Sequence, residues 1–177
     1  EIQDLLKFSQ GLNIGLHFLS GAINFDPAVT QVDAQLASEI VWFDAFMTNI
    51  DRTFRNTNML MWHRELWLID HGATLYFHHS FTNWEQSAAT PFAMIKDHVL
   101  LPQASQLDEA NIKLKALLTD DVLQHMVSLI PDTWLDWAGY EESPDALRQA
   151  YFQFLSTRLT HADLFTKTAQ DARQTLV

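Results

Sequence analysis

The chain has 177 residues, of which 47% are hydrophobic, and this suits one folded domain with a substantial core. Its formal charge of -11 opposes unspecific binding to nucleic acid or to anionic membranes, because both require clustered Lys and Arg. Cysteine is absent, which excludes disulfides and thiolate metal sites and fits a reducing compartment, so we expect a cytoplasmic protein. No apolar run approaches the roughly 18 residues of a membrane span, and we expect no membrane partner.

The first third of the chain combines one short helix, an irregular stretch and a longer helix. Residues 1–10 are typical of an amphipathic helix, whereas residues 11–27 contain three glycines and a proline and predict irregular structure. Thr30 and Asp33 resemble a capping box, and apolar residues at helical spacing follow them. We therefore predict a helix over residues 30–48.

A β-hairpin is predicted near the middle of the chain. Residues 49–56 are polar and indicate a loop, and two apolar runs, 58–62 and 65–69, follow with His63 and Arg64 between them. Residues 73–77 could add a third extended piece after a turn at residues 70–72. The pattern predicts a small β element inside a protein that is otherwise helical.

Helical periodicity continues through the remainder, residues 82–177. Helix starts are indicated at the Ser105/Asp108 pair, at Thr119, and at the Ser143-Pro144-Asp145 run. No repeat or linker divides the chain. The predicted fold class is therefore mainly α with a small β-hairpin, in a single domain that covers residues 1–177.

Three side chains with oxygen atoms stand at the two ends of the predicted hairpin. Asp51 and Asn56 precede it, and Asp70 follows it. Carboxylate and amide oxygens suit Mg²⁺, which takes one or two carboxylates together with substrate phosphates. Asn56 and Asp70 could converge on such an ion, and Asp51 could then meet a substrate hydroxyl beside it. This division of labour is what phosphoryl transfer requires.

The same stretch resembles a known family. The segments F-D-A-F-M-T-N-I-D-R-T-F-R-N-T-N-M-L and L-W-L-I-D-H-G-A-T-L-Y-F are similar to the HipA-like kinases, whose protein-kinase-like fold resembles phosphatidylinositol kinases in the catalytic loop. By this resemblance Asp51 is the catalytic aspartate, and Asn56 and Asp70 hold the metal and the nucleotide. Arg55 stands where a basic residue could meet the transferred phosphate.

The resemblance also implies the reaction and its partners. It predicts an ATP- and Mg²⁺-dependent kinase that transfers the γ-phosphate to a hydroxyl, with Ser or Thr of a protein as the expected acceptor. Arg52 and Asn49 are expected to brace the catalytic loop. His71 stands where ordinary protein kinases have the phenylalanine of D-F-G, so regulation by movement of that phenylalanine is not expected.

One half of a kinase is missing from the pattern. Nothing before Asp51 offers the strands, the phosphate-covering loop and the strand lysine of an N-terminal lobe, since the only lysine there is Lys7, in a predicted helix. The chain also begins at Glu1 rather than Met. We therefore expect a C-terminal lobe from a longer protein, rather than one whose N-terminal lobe is a separate chain. Such a lobe alone is expected to be inactive.

Three alternatives follow from the same residues. A non-catalytic helical interaction module, or a pseudokinase-like lobe, is the alternative to the enzyme. Four clustered histidines suggest zinc, but their spacing matches no common ligand set, and we interpret them as turn and loop residues: His63, His71, His78 and His79. Four tryptophans near the site could stack on a base but are more typical of core residues: Trp42, Trp62, Trp67 and Trp84.

Overall fold

The computed structural model describes residues 10–79, 83–136 and 141–176. These residues form a mainly helical fold with one small antiparallel sheet, which confirms the predicted fold class. The helix predicted over residues 1–10 falls almost entirely outside the described residues. No helix in the three described ranges is both long enough and apolar enough to cross a membrane.

The sheet has three short strands in the order β1-β2-β3: β1 is Ile23–Asn24, β2 is Met59–Trp62 and β3 is Glu65–Leu68. The predicted hairpin is confirmed, with Met59 opposite Leu68 and Trp62 opposite Glu65. Its two turn residues, His63 and Arg64, have φ of 49° and 68°. Two left-handed residues define the tight turn whose twist matches the strands, although Asn-Gly is the usual sequence for it. Strand β1 was not predicted.

Helix α1, Ala34–Phe46, lies at the centre of the core. Asp33 is its N-cap, because its carboxylate accepts hydrogen bonds from the main-chain N–H groups of Gln35 and Leu36. The predicted start at residue 30 was therefore too early. Eight of its residues between Ala37 and Phe46 are buried, and a narrower stripe that includes Leu36 and Glu39 reaches the surface. This broad buried face packs against several of the helices that follow.

The remaining helices surround α1. They are α2 (Trp84–Ala88), α3 (Leu107–Leu117), α4 (Asp120–Ser128), α5 (Asp132–Leu135), α6 (Pro144–Thr160) and α7 (Ala162–Gln174), with 3₁₀ turns at Tyr76–His79, Ala93–Asp97 and Leu101–Gln103. The starts predicted at Thr119 and Ser143 are confirmed, since their hydroxyls accept from the N–H groups of Val122 and Ala146.

Two local predictions are wrong. The predicted cap at Ser105 and Asp108 is absent, because α3 begins at Leu107 and the N–H of its N-cap, Gln106, is bound by the Ser38 hydroxyl from α1 at 2.9 Å. Residues 73–77 do not form an extended strand. Leu75 has a φ of 50°, and the chain turns there into a 3₁₀ helix.

Candidate active site

The candidate site lies where α1 ends and the hairpin begins. Residues 47–58 form a loop without regular helix or strand, apart from one isolated bridge between Thr53 and His98. Left-handed residues stand at both ends of this loop, with φ of 53° at Thr48 and 46° at Asn58. A β-branched residue such as Thr48 adopts this conformation only when its surroundings impose it. The loop is therefore held in place by its contacts.

A buried carboxylate, Asp44 in the last turn of α1, supplies the main contacts. Only 1% of Asp44 is exposed. It accepts hydrogen bonds from Asn49 Nδ2 at 3.0 Å, Arg52 Nε at 2.5 Å and His98 Nε2 at 2.9 Å. Burial raises the pKa of Asp44, but the hydrogen bonds from His98 and Arg52 and the positive charge of Arg52 outweigh burial and lower it below its ordinary value. Asp44 is therefore ionised and joins three parts of the chain.

The third donor, His98, is a neutral imidazole. Its Nδ1 accepts a hydrogen bond from the N–H of Leu100 at 3.0 Å, so Nε2 carries the proton and donates to Asp44. Burial, which disfavours the charged ring, lowers the pKa of His98 below its ordinary value. The N–H of Val99 also donates to the carbonyl of Arg52 at 3.0 Å. The segment around His98 thus holds the loop of residues 47–58 from outside it.

Asp51 and Asn56, which the sequence predicted to share a site, are in direct contact. Asn56 Nδ2 donates to Asp51 Oδ2 at 2.9 Å. Asn58 Nδ2 donates to the same oxygen at 3.1 Å and to the Asp51 carbonyl at 2.8 Å. The Asp51 N–H donates to Asn49 Oδ1 at 3.1 Å, which gives Asn49 the bracing position expected of it. Because a carboxylate only accepts, the Asn56 amide nitrogen must face Asp51 and its Oδ1 is turned away.

Asp70 lies at the same end of the hairpin as Asn56 but is not hydrogen-bonded to it. The N–H of Ile69 donates to the Asn58 carbonyl at 3.0 Å, so the register of the hairpin continues to the residue before Asp70. Asp70 is exposed, has a φ of 50°, and accepts a long hydrogen bond from the Gly72 N–H at 3.4 Å. In the described chain no hydrogen bond joins Asp70 to Asn56, whose side chain is also exposed.

Arg52 connects the loop before the hairpin with the segment after it. Its guanidinium is buried, pairs with Asp44 through Nε and donates to the Asn58 carbonyl through Nη1. Its Nη2 donates to His71 Nδ1 at 3.4 Å. The bracing role expected of Arg52 therefore has a physical basis: one side chain contacts the end of α1, the start of β2 and the segment after Asp70.

Two depressions adjoin the site. A polar cleft of about 560 Å³ is lined by residues that include Asp26, Arg55 and Asn56. Arg55 is exposed there and forms no ion pair with any residue of the described ranges. An apolar groove of about 600 Å³ lies across the outer face of the hairpin, and its lining includes Trp62 and Trp67.

The tryptophans divide between core and surface. Trp42 is fully buried in the core, as predicted, and stacks on Phe46 with ring centroids 5.5 Å apart. The core prediction is wrong for Trp67, which is 38% exposed and meets Trp62 edge to face in the apolar groove. Outward-facing aromatic side chains on a short hairpin leave an apolar surface available for contact.

The donor set suits a hard cation. Asn56 Oδ1 and the Asp70 carboxylate are exposed oxygens at one end of the hairpin, the kind of ligand that Mg²⁺ takes. Among the described residues, no three His, Cys, Asp or Glu side chains lie close enough together to hold a metal. Three of the four clustered histidines have different surroundings: His63 is in the hairpin turn, His71 faces Arg52, and His78 Nδ1 lies 3.3 Å from the Tyr151 hydroxyl. The side chain of His79 lies outside the described part of the chain. Magnesium would therefore need oxygen atoms from its phosphate ligand as well.

Three residues of the site were not predicted from the sequence. Asp44 carried a signal, since a carboxylate inside an apolar helix run, W-F-D-A-F, must be buried and paired. Asn58 was interpreted as the first residue of a strand, although asparagine is among the few residues that tolerate a left-handed backbone. His98 carried no signal, because it stands 54 residues from its partner Asp44.

Comparison with known proteins agrees with this geometry. The sequence model of the HipA-like kinases matches residues 4–166. Neither curated proteins nor solved structures give a match. The matched range includes the whole loop, the hairpin and most of the helices around them. The chain belongs to the HipA-like kinase family.

Proposed function

We propose that this chain is the C-terminal catalytic lobe of an ATP- and Mg²⁺-dependent kinase that phosphorylates a hydroxyl group. The observation that carries the proposal is the pairing of Asp51 with Asn56 at the hairpin end where Asp70 also emerges. Membership of the HipA-like kinase family supports a kinase-like activity in general. The nucleotide, the metal and the acceptor are parts of our proposal.

Asp51 would act on the acceptor. Its carboxylate is only partly buried and lies on a loop held by Asp44, Asn49 and Arg52. A fixed carboxylate orients the acceptor hydroxyl and takes its proton during transfer. We propose a serine or threonine of a protein as the acceptor, since such a hydroxyl can reach a loop at the surface.

Asn56 and Asp70 would hold Mg²⁺ through their oxygen atoms. The ion would neutralise charge on the phosphates, which matters for a chain whose own formal charge is -11. Arg55 is exposed beside Asn56, and its guanidinium could bind the transferred phosphate from the same side.

The apolar groove beside the site would receive the nucleotide base. Ile69 lines both this groove and the polar cleft that contains Asn56. A base stacked near Trp62 and Trp67 would therefore direct its phosphates toward the metal ligands. Apolar walls with polar groups at one end are the usual form of a small-molecule site.

Further groups would come from an N-terminal lobe. The chain has no lysine between Lys7 and Lys96, so neither the loop nor the hairpin carries a lysine that could bind the phosphates. We propose that a separate lobe supplies that lysine and the phosphate-covering loop. ATP dependence also requires a compartment that contains ATP, so a cytoplasmic location is part of the same proposal. We also propose that residues 1–177 form a single domain.

The test compares Asp51→Asn and Asp70→Asn in the full-length gene product, with Asp97→Asn as control. Asp51→Asn should leave the dissociation constant of Mg²⁺-ATP nearly unchanged and slow single-turnover transfer by roughly 10²- to 10⁴-fold. Asp70→Asn should weaken Mg²⁺-dependent ATP binding as well as transfer. Asp97, an exposed carboxylate paired with the adjacent Lys96, should tolerate its substitution.

Phosphate transfer by Asp51→Asn at the parent rate would contradict the catalytic assignment. Mg²⁺-ATP binding by Asp70→Asn at the parent affinity would contradict the metal assignment. A parent protein that neither binds Mg²⁺-ATP nor transfers phosphate would favour a non-catalytic interaction module.

A further inference from the structure

The polar cleft beside the candidate site contains two opposite charges that do not neutralise each other. Asp26 and Arg55 both line this cleft, and both residues are exposed. Within the described ranges no ion pair joins them, and neither pairs with a third residue. Opposite charges that share a cleft without pairing suit a ligand that carries charges of both signs. Arg55 has a proposed partner, the transferred phosphate, whereas Asp26 has none.

The carboxylate of Asp26 is fixed by the turn in which it stands. Its Oδ1 accepts a hydrogen bond from the Ala28 N–H at 2.9 Å, and its carbonyl accepts from the Thr30 N–H at 2.9 Å. The preceding residue, Phe25, is buried, and its N–H donates to the Met59 carbonyl of strand β2 at 3.0 Å. Oδ2 of Asp26 accepts no hydrogen bond from the described part of the chain. One oxygen of a well-positioned carboxylate is therefore available to a ligand.

An exposed aromatic ring lines the same cleft. Phe54 is 57% exposed and is no part of the hydrophobic core. It stands on the loop three residues after Asp51 and two residues before Asn56. A Lys or Arg cation is attracted to the face of an aromatic ring, and Arg makes such contacts more often. The cleft thus offers both a carboxylate and a ring to one cationic side chain.

We propose that Asp26 and Phe54 form a subsite for a basic side chain, Lys or Arg, of the acceptor protein. The proposal rests on the proposed kinase function and adds the class of acceptor to it: a serine or threonine with a basic residue nearby in its sequence. Three residues span at most roughly 11 Å, which limits the distance between the Cα atoms of Asp51 and Phe54. An extended acceptor covers this distance in about three residues, so the basic residue lies within about four positions of the hydroxyl.

The charge of the whole chain favours the same class of acceptor. A formal charge of -11 attracts a basic segment and repels an acidic one before contact is made. The two charges in the cleft then determine the arrangement, with the phosphate at Arg55 and the basic side chain at Asp26. A cleft of about 560 Å³ has room for both groups. Because Arg55 repels a cation until a phosphate neutralises it, the basic acceptor should bind best after Mg²⁺-ATP.

The test uses synthetic peptides with a single serine, in which each neighbouring position carries arginine, citrulline or glutamate in turn. Citrulline has the shape of arginine without its charge. In the full-length gene product, Asp26→Asn keeps the oxygen that accepts from the Ala28 N–H but removes the charge. Phe54→Leu removes the ring, and Phe54→Tyr keeps it. The control is Asp97→Asn, which removes the same charge from an exposed carboxylate outside the cleft.

At one or more positions, the parent should phosphorylate the arginine peptide with a kcat/KM roughly 3- to 30-fold above that of the citrulline peptide. This is the size expected from one exposed ion pair and one cation–π contact. Asp26→Asn should reduce the preference to within about twofold, and Phe54→Leu should lower it. Phe54→Tyr and Asp97→Asn should keep it. Equal use of both peptides by the parent, or a preference that survives in Asp26→Asn, would overturn the proposal.

Direct binding separates this proposal from the proposed function. Fluorescence anisotropy of labelled arginine and citrulline peptides, with Mg²⁺ and a non-hydrolysable ATP analogue, requires no phosphate transfer. A preference for arginine that Asp26→Asn removes, in a protein that transfers no phosphate, supports the subsite and contradicts the kinase function. Equal binding of the two peptides, in a protein whose phosphate transfer depends on Asp51, contradicts the subsite alone.

Discussion

Substitution of Asp44 by asparagine should destabilise the protein strongly, because this carboxylate is the buried acceptor for Arg52, His98 and Asn49. Asparagine keeps the size, but its NH₂ group would face donors that need an acceptor. Arg52 is only 1% exposed, so its guanidinium would remain buried without a counter-charge. Removal of one partner from a buried ion pair costs about 3 to 5 kcal/mol.

For a chain of this size, each kcal/mol lowers the melting temperature by roughly 2 to 4 °C, so we expect a decrease of about 6 to 20 °C. Urea unfolding followed by circular dichroism gives the free energy directly. The matched control is Glu39→Gln on the same helix. Glu39 pairs with Lys113 at the surface at 2.6 Å, and such pairs contribute about 0 to 1 kcal/mol. A loss at Asp44 no larger than at Glu39 would refute the central role of the buried carboxylate.

Two further predictions concern other buried cationic or titratable groups. Burial lowers the pKa of His98, so the unfolded chain takes up the proton first, and stability should fall as pH drops below about 6.5, by up to about 1.4 kcal/mol per unit. His98→Gln keeps a donor for Asp44 and should remove this part of the pH dependence. If the free energy of unfolding in urea falls equally with pH in parent and variant, the prediction is wrong. Arg158 is buried, its pKa is lowered to about 10 by burial, and it donates to the carbonyls of Ala45 and Phe46 at the end of α1. Arg158→Met should cost about 2 to 5 kcal/mol in urea unfolding, since both carbonyls lose the guanidinium donor, and an effect as small as that of the exposed Lys167→Met would show that the cap is dispensable.

Short-range chemistry made much of the fold predictable. The hairpin follows from two apolar runs and the residues between them, which interact across a two-residue turn. The helix starts at Thr119 and Ser143 follow from hydroxyl groups that cap their own helices three residues away. In each case the partner lies within a few residues, so the local sequence contains both sides of the interaction.

Long-range partners explain what the sequence did not reveal. Strand β1 has only two residues, and it exists because it pairs with β2. The start of α3 is capped by Ser38, which stands 68 residues before Gln106. For the site, the spacing of Asp51, Asn56 and Asp70 predicted a shared site, and Asp51 and Asn56 are hydrogen-bonded to each other. Nothing near His98 indicated that it supports this loop. Asn58 was obscured by the apolar run that follows it.

The strained backbone and the buried polar network of the site explain each other. Thr48, Asn58 and Asp70 all have left-handed φ values, and each such residue costs roughly 1 to 2 kcal/mol outside glycine. Apolar burial cannot offset this cost where the side chains must stay open to solvent, as those of Asn56 and Asp70 do. The stabilisation that offsets this cost must come from the buried residues beneath the loop, where Asp44 accepts hydrogen bonds from its three donors. Substitutions beneath the loop should therefore change stability and rate together, whereas substitutions of the exposed oxygen-bearing residues should change rate or ligand affinity alone.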